Sequence, residues 1–197
     1  MANVLITAFE PYDRWEANSS WLALVELTKD RPTEPKITTR RYPVDFSLVR
    51  EKLADDLAAN YDYALHLGQS PGLGRVHLEA VGLNVGGTSQ QLPEQFQPLV
   101  PGGPAAYQTD LPLADWAAKL RGAGIPTQVS YHAGTYLCNA TLYLTQHLCR
   151  ERGWKTRATF LHLPLSTDQT VQERQDLAAL PTVMAAQAIR LILEELR

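Results

Sequence analysis

The sequence predicts an α/β layer structure built around a largely parallel central sheet. Short runs rich in β-branched residues alternate with longer segments of helical period, which is the order typical of this class. The 197 residues slightly exceed the common size of one domain, and 45% of them are hydrophobic while 20% are charged. We therefore expect a single globular domain over residues 1–197 with one sizeable core.

The first half of the chain opens with an apolar strand over residues 3–9 and a helix over residues 20–29, which follows a serine that is a candidate N-cap. Residues 36–42 form the second strand. Asp45 is a candidate N-cap for the next helix, residues 46–60. The apolar positions near one face of that helix are Leu48, Leu53, Leu57 and Ala58.

In the middle of the chain, the sequence predicts a buried strand over residues 63–67 that ends in a glycine-rich loop, residues 68–74. Loops at the carboxyl ends of strands often hold ligands in this fold class. A further strand is expected over residues 75–85. Residues 86–105 carry Gly, Gln and Pro without periodicity, which predicts a long surface loop.

The last third continues the alternation of helices and strands. The patterns predict a short helix over residues 113–121, a strand over 127–131, a helix over 135–152 that ends at a glycine, and a strand over 157–163. The final helix begins near Pro181, since proline is favoured in the first helical turn.

A formal net charge of −3, from 18 basic and 21 acidic residues, gives no electrostatic reason to expect nucleic acid or an anionic membrane as a partner. No stretch approaches the roughly 18 apolar residues of a membrane span, and residues 1–9 lack the basic leader of a targeting segment. A small, weakly charged substrate fits this composition better.

The chain contains two cysteines, Cys138 and Cys149, and both lie in the helix predicted over residues 135–152. Eleven residues of helix separate their backbones by roughly 16 Å, which is too far for a disulfide. The absence of a disulfide framework favours a reducing, cytoplasmic location. We expect Cys149, deep in the helix, to be structural.

Cys138 lies where a strand passes through a glycine into a helix, in the segment Ala-Gly-Thr-Tyr-Leu-Cys-Asn. Unsatisfied N–H groups and the positive end of the helix dipole favour a thiolate there, which makes the residue a candidate nucleophile. Free cysteine is also a common small core residue, so position alone leaves both interpretations open.

Two further residues could assist a thiolate. His162 lies near the carboxyl end of a strand and could take the thiol proton and later return one to a leaving amine, although a buried core histidine would look the same. Glu79 interrupts an apolar strand and should share a face with Val81 and Leu83. It could orient the imidazolium of a triad, or it could form an ion pair with Arg75 or cap an element.

The pattern gives little support for a metal or a nucleotide cofactor. The five histidines are scattered, without HExxH or paired Cys/His spacing, and residues 68–74 match neither GxGxxG nor a P-loop. We expect no metal and no cofactor. The backbone N–H groups of residues 68–74 could still form part of an oxyanion hole.

Taken together, five ordered segments resemble the pyroglutamyl-peptidase I (pyrrolidone-carboxylate peptidase) family over nearly the whole chain. They are Leu-Ile-Thr-Ala-Phe-Glu-Pro-Tyr at residues 5–12, residues 68–75 from Gly-Gln to Arg, His-Leu-Glu at 77–79 with Asn84, Ala-Gly-Thr-Tyr-Leu-Cys-Asn at 133–139, and Phe-Leu-His-Leu-Pro at 160–164 with Gln169. The resemblance implies a three-layer α/β/α sandwich with a mostly parallel central sheet. It also implies a catalytic set of Glu79, Cys138 and His162.

Family membership would imply removal of an N-terminal pyroglutamyl residue through a thioester intermediate, without a cofactor, in a homo-oligomer that is a dimer or tetramer. The substrates would be N-terminally blocked peptides. Pyroglutamate is an uncharged lactam, so its pocket should combine apolar walls with a few donors and acceptors. The residues that match the substrate-binding positions are Phe9, Tyr12, Gln69, Tyr136 and Leu137. Plain core packing is the alternative for the apolar ones.

Two departures from the family pattern concern the substrate. Where the family usually has Thr-Gly-Phe-Glu-Pro-Phe-Gly-Gly, this chain has Ala8, Tyr12, Asp13 and Arg14 at the differing positions. The family also places an arginine ten residues after its glutamate, where this chain has Ser89. Arg14 or Arg75 could replace that positive group. These departures leave two alternatives open, namely another N-blocked substrate or a non-catalytic peptide-binding protein.

Overall fold

The computed structural model describes residues 1–88 and 90–196. The strands are β1 (Asn3–Phe9), β2 (Lys36–Tyr42), β3 (Tyr63–Gln69), β4 (Val76–Glu79), β5 (Val81–Leu83), β6 (Ala106–Gln108), β7 (Thr127–Ser130), β8 (Arg157–Leu163), β9 (Leu165–Ser166) and β10 (Ala179–Leu180). The helices are α1 (Ser19–Lys29), α2 (Phe46–Leu57), α3 (Leu113–Gly122), α4 (Leu137–Arg152), α5 (Thr167–Thr170) and α6 (Thr182–Leu193), with a 3-10 turn at Pro93–Gln95.

Six strands form the central sheet in the order β2-β1-β3-β8-β4-β7. Every neighbouring pair is parallel except β4 and β8, which run antiparallel. β1 and β3 are buried along almost their whole length, as expected of central strands covered on both faces. The predicted α/β class with a mostly parallel central sheet is confirmed.

Helices cover both faces of this sheet and form two hydrophobic cores. α1, α3 and α6 pack on one face through residues such as Leu24, Trp116 and Ile189. α2 and α4 pack on the other, where Leu53 and Tyr143 are fully buried. The result is the three-layer α/β/α arrangement. No helix in residues 1–88 and 90–196 has the length and apolar character needed to cross a lipid bilayer.

Several boundaries differ from the sequence prediction, among them the end of α2 at Leu57 instead of residue 60, and three of them have local reasons. Asn18, rather than a serine, caps α1, because its side-chain oxygen accepts from the Ser20 N–H at 3.0 Å. β3 continues two residues further, through Gln69, since Gly68 and Gln69 stay in register with β8. α4 begins two residues later than expected, after Gly134 turns the chain with a φ of +78°.

The predicted face of α2 was partly wrong. Leu48 is 45% exposed and Ala58 lies beyond the helix and is exposed, whereas Val49 is fully buried. Val49, Leu53 and Leu57 are spaced four residues apart, so they form one continuous line toward the sheet. The Asp45 cap is confirmed, with its carboxylate accepting from two backbone N–H groups of the first turn.

The strand predicted over residues 75–85 divides at Ala80. β4 stays in the central sheet, while β5 leaves it and pairs with β6, a strand that the sequence did not predict. The loop that follows β5 is anchored at its far end by Asn84, whose side chain binds the Val100 N–H and the Val100 and Gly103 carbonyl oxygens at 2.8–3.2 Å.

Candidate active site

The three residues predicted to be catalytic come from three elements that meet on one face of the sheet. His162 is the penultimate residue of β8, Glu79 is the last residue of β4, and Cys138 is the second residue of α4. In the antiparallel register His77 lies opposite His162, and Glu79 lies two residues beyond it, opposite Phe160. Glu79 and His162 are therefore a diagonal cross-strand pair on the same face.

Glu79 and His162 are joined by a short, buried hydrogen bond. The His162 Nδ1 atom lies 2.8 Å from Glu79 Oε1, and the two side chains are only 9% and 1% exposed. Because the carboxylate accepts at Nδ1, Nε2 is the ring nitrogen left to exchange a proton with another group. The structure thus places a histidine with a defined tautomer beside Cys138.

The charges of this site oppose the effect of burial. Burial alone would lower the pKa of His162, but a negative charge at Cys138, a hydrogen bond with that sulfur and the Glu79 carboxylate raise it to about 10. Burial would raise the pKa of Glu79, yet the hydrogen bond and positive charge of His162, with Ser130 and His77, lower it. The site therefore favours the imidazolium form of His162 and the carboxylate form of Glu79.

Cys138 lies in a helix start that no side chain caps. The first N–H groups of a helix have no intrahelical partner, and Tyr136, the N-cap residue of α4, makes no capping hydrogen bond to them. Asn139 fixes this helix start instead, because its side chain accepts from Leu83 N at 2.7 Å and donates to the Leu83 and Val85 carbonyl oxygens. The N–H groups around Cys138 remain available for an anion.

Gly68 makes room for the thiol. It lies beside His162 in the register of β3 and β8, and a Cβ atom there would stand 3.1 Å from Cys138 Sγ and 2.5 Å from the Phe160 ring. The Phe160 ring also lies 4.9 Å from the His162 ring. A larger residue at position 68 would force this aromatic ring or the thiol to move.

A cavity of about 680 Å³ opens onto these residues. It is lined by Glu79, Cys138 and His162 and by every residue predicted to bind substrate, namely Phe9, Tyr12, Gln69, Tyr136 and Leu137. Leu137 and Phe9 are also buried in the hydrophobic core, so lining and core packing coincide at these positions. Tyr136 packs edge-on against Phe46 with ring centroids 5.2 Å apart. The predicted set is thus brought together around one cavity.

Polar groups at the inner wall of the cavity form a neutral network. Gln69 Oε1 accepts from the Ser19 N–H and from Gln169 Nε2, each at 2.8 Å, while Gln169 Oε1 accepts from the Ser166 N–H. The backbone donors fix the orientation of both amides. Gln69 Nε2 is consequently a buried donor with no partner among the described residues.

Tyr12 lies at the same wall, and its hydroxyl donates to the Gln69 carbonyl oxygen at 3.2 Å. Burial, together with a negative charge at Cys138, raises the pKa of Tyr12 to about 12, although a hydrogen bond with Gln69 opposes that rise. The phenol therefore stays neutral at physiological pH and can act as a donor.

Residues 2–196 of the chain match the family model described as pyroglutamyl peptidase. The chain belongs to the pyroglutamyl peptidase family. A pyrrolidone-carboxylate peptidase of Clavibacter michiganensis is 38% identical over 178 residues, which cover 87% of this chain and 82% of the relative. Another from Thermococcus kodakarensis is 34% identical, over 98% of this chain and 97% of the relative.

Solved structures agree with this membership of the pyroglutamyl peptidase family. The crystal structure of a pyrrolidone carboxyl peptidase from Fervidobacterium islandicum matches with a TM-score of 0.92 at 30% identity, and covers 100% of this chain and 98% of that one. A mutant pyrrolidone carboxyl peptidase from Pyrococcus furiosus matches with a TM-score of 0.90 at 28% identity, over 98% and 97% of the two chains. The predicted resemblance is confirmed.

One expectation about Glu79 was wrong, and one alternative for it is not formed. Glu79 does not continue a strand face with Val81 and Leu83, because the chain leaves the central sheet at Ala80. The alternative of an ion pair with Arg75 is not formed in the described residues, where Glu79 instead lies 2.8 Å from His162 Nδ1 and 3.9 Å from His77 Nδ1.

Neither Arg14 nor Arg75 lies where it could replace the arginine that the family has at the position of Ser89. Arg14 contacts Glu173 at 3.3 Å and stacks over Trp15, and neither Arg14 nor Arg75 lines the cavity. Within residues 1–88 and 90–196, no lysine or arginine lines it. Ser89, the position of the departure, lies outside the described residues.

Several residues of the site were not singled out from the sequence. His77 lines the cavity beside Glu79, Gln128 contacts His77, and Gly68 and Phe160 shape the space under the thiol. His77 could have been found from the two-residue spacing to Glu79, which places both on one face of a strand. No group of three or more His, Cys, Asp or Glu side chains in the described part of the chain is arranged to hold a metal.

Proposed function

We propose that this member of the pyroglutamyl peptidase family hydrolyses the amide bond after an N-terminal pyroglutamyl residue through a thioester acyl-enzyme. The observation that carries the proposal is the 2.8 Å hydrogen bond between Glu79 and His162 beside a cysteine at an uncapped helix start. That arrangement supplies a nucleophile, a proton carrier and a group that orients the carrier.

In the acylation step the Cys138 thiolate attacks the carbonyl carbon of the pyroglutamyl residue. The negative charge that develops on the carbonyl oxygen is stabilised by N–H groups at the start of α4, among them that of Cys138. His162 then donates its Nε2 proton to the leaving amine as the C–N bond breaks, which leaves a thioester and a neutral imidazole.

Deacylation repeats these roles with water. The neutral His162 accepts a proton from a water molecule that attacks the thioester carbonyl, and the C–S bond breaks to release pyroglutamate and the thiolate. Glu79 keeps its hydrogen bond to Nδ1 in both steps and stabilises the imidazolium each time it forms. Every step uses side chains that line the one cavity.

The cavity also suits an uncharged lactam. Its walls include Phe9, Tyr136 and Leu137, and its described lining holds no lysine or arginine that would favour a free carboxylate. Gln69 supplies an amide donor without a partner, and Tyr12 supplies a neutral hydroxyl. Apolar walls with a few fixed polar groups are what a pyroglutamyl ring requires.

The decisive test compares two single-cysteine variants on a chromogenic pyroglutamyl amide. We expect Cys138→Ala to abolish hydrolysis, by at least a factor of about a thousand. Cys149→Ala should retain it, because Cys149 is buried in the core, where burial raises the pKa of its thiol to about 11. Wild-type activity that survives Cys138→Ala would refute the mechanism.

A second candidate is hydrolysis of another N-blocked peptide or amide by the same residues. It is favoured by the altered segment around Asp13 and Arg14, which directly follows Tyr12 in the cavity lining. A panel of acetyl, formyl, prolyl and pyroglutamyl amides separates the two. A clear first rank for pyroglutamate would exclude this candidate, and rapid stoichiometric alkylation of Cys138 would exclude a non-catalytic peptide-binding protein.

We further propose that the chain is one catalytic domain that acts in the cytoplasm as a homo-oligomer, a dimer or a tetramer. The match to the family model over residues 2–196 supports one domain, and two free cysteines support a reducing compartment. Light scattering at micromolar concentration tests the assembly, because a monomer mass would rule it out.

A further inference from the structure

His77 is a second histidine close to the Glu79 carboxylate. It lies directly opposite His162 in the register of β4 and β8, and it lines the same cavity with a side chain that is 16% exposed. Its Nδ1 atom is 3.9 Å from Glu79 Oε1, the same oxygen that His162 binds at 2.8 Å. One carboxylate oxygen thus faces two histidines at unequal distances.

Gln128 determines which nitrogen of His77 carries the proton. It lies beside His77 on β7, and its Nε2 donates to His77 Nε2 at 2.8 Å. A neutral imidazole that accepts at Nε2 must carry its proton on Nδ1. The Nδ1–H group of His77 is therefore the one that faces Glu79.

The charges around His77 favour its neutral form. Burial lowers the pKa of His77, and the positive charges of His162 and Arg75 lower it further, while Glu79 opposes them. The groups that act on it are Glu79 on its own strand, Arg75 just before that strand, His162 on β8 and Gln128 on β7. While His77 is neutral, the Glu79 carboxylate can bind His162 without a competing positive charge from His77.

We propose, on the basis of the proposed function, that His77 acts on His162 through Glu79: while neutral it leaves the carboxylate to His162, and when it takes up a proton it weakens the Glu79–His162 pair. A second imidazolium would share the Glu79 charge and repel His162, which would destabilise the thiolate–imidazolium pair at Cys138. Protonation of His77 would then set the acidic limit of activity.

The test measures how kcat/KM depends on pH in two variants that act in opposite directions. Gln128→Glu offers only an acceptor to His77 Nε2, so it favours the imidazolium and should move the acidic limb to higher pH by on the order of one unit. His77→Gln cannot take up a proton, so its acidic limb should extend to lower pH. Limbs that stay at the wild-type position, or that move in the same direction in both variants, would overturn the proposal.

A direct effect of the new carboxylate on His162 is separated by the double variant. If Gln128→Glu acts through His77, adding it to His77→Gln should leave the His77→Gln profile unchanged. A further upward shift in the double variant would contradict the proposal. Thermal unfolding of each variant shows that the profiles are compared between folded proteins.

The rate of Cys138 alkylation by iodoacetamide gives the same information without a substrate. It follows the thiolate population of the site, so its acidic limb should shift as that of kcat/KM does. If the wild-type protein cleaves no pyroglutamyl amide but these alkylation limbs shift as expected, the proposed function fails and the role of His77 stands. Unshifted alkylation limbs in an active enzyme refute the role of His77 alone.

Discussion

His66 and His162 lie on neighbouring strands, contact the same Phe160 ring and are both buried, yet they occupy opposite protonation states. The His66 ring is held between the hydroxyls of Thr7 and Thr145 at 2.8 and 2.9 Å, and burial lowers its pKa to about 3. The His162 ring is held between Glu79 and Cys138, which raise its pKa to about 10 despite burial. Neutral partners keep a buried histidine structural, and charged partners make it reactive.

Among the changes that test this comparison of the two histidines, the largest effect is expected from giving His162 a neutral partner. Glu79→Gln keeps the shape of the side chain but removes its charge, so the pKa of His162 should fall toward that of His66 and the imidazolium should be less stable. We expect kcat/KM on a pyroglutamyl amide to fall about a hundredfold or more. The matched control is Glu94→Gln, an exposed glutamate in the 3-10 turn, and an equal loss in both variants would disprove the role of the charge.

The neutral state of His66 can be tested by measuring the free energy of unfolding at low pH. An unfolded His66 takes up a proton near pH 6.5, whereas the folded form resists protonation down to about pH 3. Between these values the unfolded state binds more protons, so His66 should reduce the free energy of unfolding by about 1.4 kcal/mol for each unit that the pH falls.

Urea unfolding of the wild-type protein and of His66→Leu, from pH 6.5 to 4, measures this slope. The variant leaves two hydroxyls unpaired and will be less stable throughout, but its stability should depend less on pH. An identical slope in both proteins would contradict the neutral assignment. His162 has the opposite sign, since its contribution is complete below pH 6.5 and is lost as the pH rises toward about 10.

The smallest effect is expected at the neutral hydrogen-bond network of Gln69 and Gln169. Gln169→Met removes one of the two donors to Gln69 Oε1 and leaves the Ser19 N–H as the other, so the unpartnered Gln69 Nε2 should be held less firmly. The preference for a pyroglutamyl amide over a cyclopentanecarbonyl amide, which lacks the lactam groups, should fall about fivefold, mainly through KM. Gln146→Met on α4 is the control, and a fall of the same size there would show that the loss is not specific to the network.

The alternation of segments was enough to predict the α/β class and the limits of β1, β2 and β8, and it placed the start of α4 within two residues, because these depend on local periodicity and caps. The catalytic set followed from resemblance rather than from any one residue. The diagonal pairing of Glu79 with His162 depends on β4 running antiparallel to β8, which no local pattern reveals. The division of β4 from β5 at Ala80 was missed for the same reason, since the apolar run continues across it.

The two asparagine clamps have a consequence for protein engineering. Asn139 binds the backbone of Leu83 and Val85, and Asn84 binds that of Val100 and Gly103, so both ends of the long loop are secured independently of its middle. Residues 90–96, of which Gln91 and Phe96 line the cavity, could then be exchanged for other sequences while these clamps hold the ends of the loop. The loop is the natural region in which to vary which peptides this scaffold accepts.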